Sequence, residues 1–191
     1  MSETGIVLVL GGARSGKSDY AQFLAGRLAE RVLYVATATA GDDEMAERIA
    51  RHRAERPATW DTAEAPVDVA AATGGALADH GAVLLDCLTM LASNVLLAQE
   101  DDPAAAEARL LADADALCEL CSARGVALVI VSNEVGMGVV PAYPLGRTYR
   151  DMLGRANQHI ARRADRVLLL IAGIPVDVRA LSRALPDPFA P

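Results

Sequence analysis

Gly11-Gly12-Ala13-Arg14-Ser15-Gly16-Lys17-Ser18 carries the most specific chemistry in the chain. It fits G-x-x-x-x-G-K-[ST], the phosphate-binding loop. Each residue type has a physical job in such a loop. The glycines let backbone N–H groups close around phosphate oxygens, the ammonium reaches the β- and γ-phosphates, and the Ser18 hydroxyl suits a Mg²⁺ ligand. Lys17 is the only lysine; the other seventeen of the 18 basic residues are arginine. A planar guanidinium is a poor replacement for a compact ammonium at this position. A glycine-rich turn without a ligand is the competing reading, and the flanking sequence opposes it. Ile6–Leu10 is an apolar run suited to a buried parallel strand, and helical spacing begins just after the loop.

Other candidates gain weight from that loop. Val83-Leu84-Leu85-Asp86 is an apolar strand ending in a carboxylate, the Walker B arrangement in which Asp86 holds Mg²⁺ directly or through water. A plain strand-ending aspartate has the same pattern. Four arginines, Arg48, Arg51, Arg53 and Arg56, surround His52 in the densest positive patch of an acidic chain. Such a cluster is usually a solvated helix face, but here it also suits an anion site. Neighbouring cations favour the neutral imidazole, which is a competent nucleophile toward phosphorus. Trp60 could be core or a stacking surface, and Glu64 could accept hydrogen bonds from a ribose or base or face water. Ser132-Asn133-Glu134-Val135-Gly136 closes a fourth apolar run, where α/β folds place ligand loops. Arg147, Arg150, Asp151, Asn157 and Gln158 follow at one-turn spacings and could face the same crevice or pair on a surface.

The elements that must position these residues alternate along the chain. Candidate strands are Ile6–Leu10, Val32–Ala36, Ala82–Asp86, Ala127–Ser132 and Arg166–Ile171. Candidate helices are Lys17–Glu30, Asp43–Glu55, Pro66–Asp79, Pro103–Arg124 and Gly146–Ala164. In the first helix Tyr20, Phe23, Leu24 and Leu28 form the apolar stripe. This order predicts an α/β, phosphate-loop-type fold, a mostly parallel sheet with helices on both faces. Residues 1–191 are read as one nucleotide-binding domain, with about 180–191 as a loose proline-rich tail. Net charge is −7, which excludes general nucleic-acid binding, so any nucleotide site is a local positive pocket. Cys87, Cys118 and Cys121 do not make a disulfide framework, and Cys118-x-x-Cys121 reads better as buried helix thiols than as a metal site. The chain shows neither an apolar run of membrane-spanning length nor a signal peptide, and is expected to be cytoplasmic.

Taken in order, GGARSGKS, VATATAGDDEMAERIARHRAERPATWDTAEAP, LLDCLTMLASN, VSNEVGMGVVP and RTYRDMLGRANQHIARRADRVLLLIAGIP resemble one family. It is the bifunctional adenosylcobinamide kinase / adenosylcobinamide-phosphate guanylyltransferase family of cobalamin biosynthesis. The resemblance runs to about Pro175. It implies that a nucleoside triphosphate, ATP or GTP, phosphorylates adenosylcobinamide. GTP then gives GMP to that phosphate through a guanylyl-histidine, forming adenosylcobinamide-GDP. By the same resemblance His52 is the guanylylated residue and Lys17 its catalytic companion in the loop. Nucleotide contacts fall on Gly11, Gly12, Ala13, Arg14, Ser15, Gly16, Lys17 and Ser18. They continue on Ala36, Thr37, Ala38, Arg53, Ala54, Glu55, Arg56, Glu64 and Asp86, with Ser18 and Asp86 holding Mg²⁺. It also implies a homo-oligomer, a trimer with a site between subunits. The rival reading is a monofunctional phosphate-loop kinase for another small alcohol. It predicts phosphorylation without a guanylyl-enzyme.

Overall fold

The structure is a computed structural model describing residues 5–39, 47, 53 and 56–182. Strand β1 (Ile6–Gly11) leads through the glycine loop into α1 (Lys17–Leu28) and β2 (Val32–Ala36). Then come β3 (Asp61–Glu64), α2 (Val69–Ala76), β4 (Ala82–Asp86), α3 (Leu88–Ala98) and α4 (Pro103–Arg124). The chain continues through β5 (Ala127–Asn133), α5 (Pro144–Arg163), β6 (Arg166–Ile171), β7 (Ile174–Asp177) and α6 (Val178–Ser182). Seven strands form one sheet in the order β3-β2-β4-β5-β1-β6-β7. All neighbours are parallel except the β6–β7 hairpin.

The two helical layers follow from chain direction. From β1 the chain moves toward β2 on one side of the sheet; from β4 through β5 to β6 it moves the opposite way. Parallel crossovers are right-handed, so the two directions must use opposite faces. Accordingly Ala21, Leu24 and Ala25 of α1 pack on Val7, Val9, Tyr34 and Leu84. On the other face α2, α3, α4 and α5 cover Leu8, Leu33, Leu85 and Ile130. Strands buried on both faces must be apolar throughout, which is why the central ones are readable as unbroken runs.

Several elements differ from the pattern the sequence suggests. Phe23 is 63% exposed, and small Ala21 and Ala25 join Leu24 in the contact. At the close approach of α1 to the sheet, a small side chain fits where an aromatic ring does not. The short edge strand β3 has no apolar run to announce it, because Asp61-Thr62-Ala63-Glu64 is polar. It pairs only with β2. Strand β7 is equally silent in sequence; a turn at Ala172 (φ 52°) and Gly173 (φ 81°) forms its hairpin. Helix α3 is hidden because its apolar residues run almost continuously, without a polar face. Gly74 and Gly75, which read as breakers, lie in the last turns of α2. Cys118 and Cys121 are buried in α4 as expected, and burial pushes their thiols up to about 11 and about 12. Most of the predicted 43–55 helix and residues 183–191 lie outside the described residues.

Candidate active site

Between β1 and β5 the connections leave for opposite faces, and ligands of open α/β sheets bind at such a switch point, beyond the strand carboxyl ends. The glycine loop sits there. Gly11 and Asn133 are partners across β1 and β5. A Cβ on Gly11 would lie 2.4 Å from Ser15 Oγ and 3.0 Å from the Leu170 carbonyl, so the loop turns too tightly for any side chain. Arg14 (φ 56°) and Gly16 (φ 84°) are left-handed, a conformation that aims successive N–H groups inward as an anion-binding nest. Gly16 is the N-cap of α1, and Lys17 and Ser18 are its first two residues. The amides of that helix end face the loop, where a phosphate is favoured. Lys17 Nζ donates to the Gly12 carbonyl at 3.2 Å, folded across its own loop. The β6–β7 turn braces the loop from outside, Gly173 N donating to the Ser15 carbonyl at 2.9 Å. Ser15 Oγ is buried without a hydrogen-bond partner among the described residues.

Strand register builds the second half of the site. Glu64 pairs with Ala36, and Ala36 with Asp86, so three predicted residues form one row across β3, β2 and β4. Laterally paired residues point to the same face of a sheet, here the α1 face. One step back, Thr62, Tyr34 and Leu84 make the parallel row. Tyr34, 3% exposed, donates its hydroxyl to Asp86 Oδ2 at 2.7 Å. Burial first, and then the Asp86 charge, hold this phenol protonated well above its ordinary range. The Arg56 guanidinium lies over the Tyr34 ring, 3.4 Å from its centroid, and Arg56 Nη1 donates to Thr62 Oγ1 at 2.9 Å. Arg53 Nη2 meets Glu64 Oε1 at 3.0 Å. The described end of the arginine cluster is thus tied to the same row. His52, Ala54 and Glu55 lie outside the described residues.

The Cys87 thiol is pushed up by burial and by the neighbouring Asp86 charge, and the Lys17 ammonium acts on it in the opposite direction. Thr37 is fully buried and turned away from solvent. Its Oγ1 donates to the Cys87 carbonyl and accepts from Cys87 N, both at 2.8 Å. Asn94 Nδ2 donates to the Thr37 and Pro66 carbonyls, both at 2.9 Å. The Thr37 N–H donates to the Asp86 carbonyl at 3.2 Å, so the hydroxyl and both backbone groups of Thr37 serve the strand end. Ala36 and Ala38 flank it at the strand end.

The SNEVG segment is anchored to the loop, since Glu134 N donates to the Gly11 carbonyl at 3.1 Å. Asn157 does not face the crevice as a ligand group. It is buried, accepting from Ser132 Oγ at 2.7 Å and donating to the Asn133 carbonyl at 3.0 Å. Arg147 donates to the carbonyls of Pro141 and Ala142, closing its own loop, and Arg150 pairs with Asp151. Sequence reasoning does not find Tyr34, Asn94 or Gly173. An aromatic in a buried strand, an amide in a helix and a turn glycine carry no motif. Only register and turn geometry bring them to the site.

Asp86 and Ser18 are both hard oxygen donors, the donor type Mg²⁺ selects. Among the described residues no group of three or more His, Cys, Asp or Glu could cage a metal by itself. One carboxylate and one hydroxyl beside a phosphate cradle suit a magnesium ion that takes its remaining ligands from phosphate and water.

The profile of the family described as cobinamide kinase / cobinamide phosphate guanyltransferase matches residues 7–178. The bifunctional adenosylcobalamin biosynthesis protein CobP of Pseudomonas aeruginosa is 45% identical over 172 residues, covering 90% of this chain and 96% of that one. The corresponding CobU proteins are 44% identical in Salmonella typhimurium and 39% identical in Escherichia coli, over 91% of this chain and 99% of each of theirs. A solved KaiC-like protein of Pyrococcus horikoshii aligns with 86% of this chain and 70% of its own, at a TM-score of 0.47 and 14% identity.

Proposed function

Because the chain belongs to the cobinamide kinase / cobinamide phosphate guanyltransferase family, we propose that one site performs both reactions on adenosylcobinamide. In the first, the substrate hydroxyl takes the γ-phosphoryl group of ATP or GTP. Phosphoryl transfer needs positioning and charge stabilisation more than covalent chemistry. Gly11 to Ser18 supply both, from loop amides, the Lys17 ammonium and the amino end of α1. Ser18 and Asp86 would hold Mg²⁺, which when bound neutralises developing phosphate charge. In the second reaction a His52 nitrogen attacks the α-phosphorus of GTP, a P–N bond forms, the α–β P–O bond breaks and pyrophosphate leaves. A phosphate oxygen of adenosylcobinamide phosphate then attacks the same phosphorus, and the P–N bond breaks to free the imidazole. Two displacements replace one difficult transfer. Arg53 and Arg56 would bind the phosphates, Glu64 the ribose or base, and Ala36, Thr37, Ala38, Ala54 and Glu55 would line the nucleotide.

The observation that carries this reading is the shared row. Arg53, next in sequence to His52, reaches Glu64, which stands in one row with Ala36 and Asp86 at the carboxyl edge of the sheet. A simple phosphate-loop kinase has no use for that arginine-histidine segment. Assembly as a homotrimer belongs to the same proposal. It is supported by Met137, Val139, Val140 and Tyr143, which leave one loop strongly apolar and exposed; light scattering tests it. A cytoplasmic location is consistent with the described helices, none of which is long and apolar enough to cross a membrane.

The deciding experiment uses GTP labelled on the α-phosphate with wild-type protein and His52→Ala. Acid-labile, alkali-stable label on the wild type alone is the expected result. Unlabelled wild type that still moves γ-phosphate to cobinamide would reduce the enzyme to a kinase.

A further inference from the structure

Tyr34 belongs to no motif, yet it touches both Asp86 and Arg56. Its hydroxyl is committed to Asp86, at 2.7 Å, while its ring face is covered by Arg56, 3.4 Å from the centroid. Arg56 is fixed in turn by Thr62, the partner of Tyr34 across β2 and β3. We propose that Tyr34 is a positioning residue that couples the Asp86 carboxylate to Arg56. The inference rests on Asp86 being the carboxylate that meets Mg²⁺.

The physical argument has three steps. A carboxylate accepts at about four lone-pair sites, so one strong donor fixes its rotation while leaving capacity for another partner. Here the donor lies in a nearly dry environment, where such a bond is stronger and its loss harder to repair. Partners that orient a metal-ligating carboxylate matter nearly as much as the ligand itself. Next, a guanidinium stacked on a phenol draws on the ring's negative face. That withdrawal makes the phenol O–H a better donor to Asp86. Finally, the planar fork of Arg56 stacks and donates to Thr62 at once, which a lysine could not do. Any displacement of the Arg56 side chain is therefore felt at Asp86 through one aromatic ring. Such a link gives the arginine side of the site a physical means of influencing the metal side.

Tyr34→Phe removes the hydroxyl and keeps the ring beneath Arg56. Calorimetric titration of GTP binding is run over a range of Mg²⁺ concentrations, with thermal unfolding as the folding control. The Mg²⁺ concentration for half-maximal enhancement of binding should rise about 10-fold in Tyr34→Phe, with GTP binding in chelator unchanged. Thr62→Val, which releases Arg56 from its anchor without removing its charge, should raise it by a smaller factor, and in the Tyr34→Phe background Thr62→Val should add nothing further. Wild-type Mg²⁺ dependence in Tyr34→Phe overturns the proposal. So do Thr62→Val and Tyr34→Phe effects that simply multiply, because the two residues would then act independently. A wild-type protein that binds no GTP at any Mg²⁺ concentration overturns the reading of the site itself, a result distinguishable from the other two.

Discussion

Both ends of the sheet carry charged residues, but they use them differently. At the amino end the carboxylates Asp165 and Asp61 close on near neighbours. Asp165 Oδ2 accepts from Ile6 N at 2.8 Å while Asp165 N donates to the Ile6 carbonyl, also at 2.8 Å. Asp61 takes His80 Nε2 at 2.9 Å and Arg31 Nη2 at 3.4 Å. At the carboxyl end the glycine loop is shaped around inward-facing amides, the buried Ser15 hydroxyl has no partner among the described residues, and Tyr34 and Arg56 connect residues from three strands. Strand β3 shows the contrast within four residues, Asp61 serving the fold and Glu64 facing the site. Parallel strands all deliver their carboxyl ends to one edge, so the edge that gathers loops is the one free to do chemistry.

The contrast predicts a double dissociation, in which changes at one end remove activity and changes at the other remove stability. The largest effect is expected for Lys17→Met. Losing the ammonium should lower kcat for γ-phosphoryl transfer by about 10²–10³-fold, the usual effect of removing one charge-stabilising donor. Its hydrogen bond to the Gly12 carbonyl should contribute about 1 kcal/mol or less to folding. Steady-state kinetics beside a melting curve checks both. A Lys17→Met enzyme that is mainly unfolded would remove the contrast.

Asp165→Ala is the converse. It leaves the partly buried Ile6 N–H without its acceptor, a loss of about 2–3 kcal/mol for a bond to a charged group. Chemical denaturation should show the loss, while kcat at a temperature where the variant is folded should match wild type. A changed kcat would mean that the amino end communicates with the site.

Thr37→Val sharpens the boundary, because Thr37 stands at the carboxyl edge but spends its hydroxyl on Cys87. Valine keeps the shape and orphans one N–H and one carbonyl. About 1–2 kcal/mol of stability should be lost, with nucleotide affinity following only as far as the strand end shifts. Affinity falling without any loss of stability would place the hydroxyl on the nucleotide after all.

The same boundary separates what the sequence discloses from what it hides. A site made of backbone needs special residues at fixed spacing, so Gly11, Gly16 and Lys17 are legible from the sequence alone. Val32–Ala36, Ala82–Asp86 and Arg166–Ile171 are legible too, because strands buried on both faces must be apolar runs. A site made of side chains from different strands depends on register, which no single segment encodes. Tyr34 reads as core, and only its diagonal relation to Asp86 gives it a role. Edge strands β3 and β7 escape for a related reason. One flank is free of neighbours, so nothing forces their residues into a recognisable pattern.

The smallest expected effect concerns pH and belongs to the amino end. The His80 hydrogen bond, and after it Arg31, hold the Asp61 carboxyl below its ordinary value of 3.8. A carboxyl lowered on folding stabilises the folded state at pH above its unfolded value, and that contribution fades as pH falls through the folded value. Wild type should therefore melt above Asp61→Asn at about pH 5 and higher, with the two curves converging below about pH 4. Asp61 is exposed, so the margin should be smaller than the loss in Asp165→Ala. The pH profile of phosphoryl transfer should be the same for both proteins, since Asp61 and Glu64 stand at opposite ends of β3. Parallel melting curves down to pH 3 would show that His80 and Arg31 do not stabilise the ionised carboxylate. A shifted activity profile would show that the two ends are electrostatically joined.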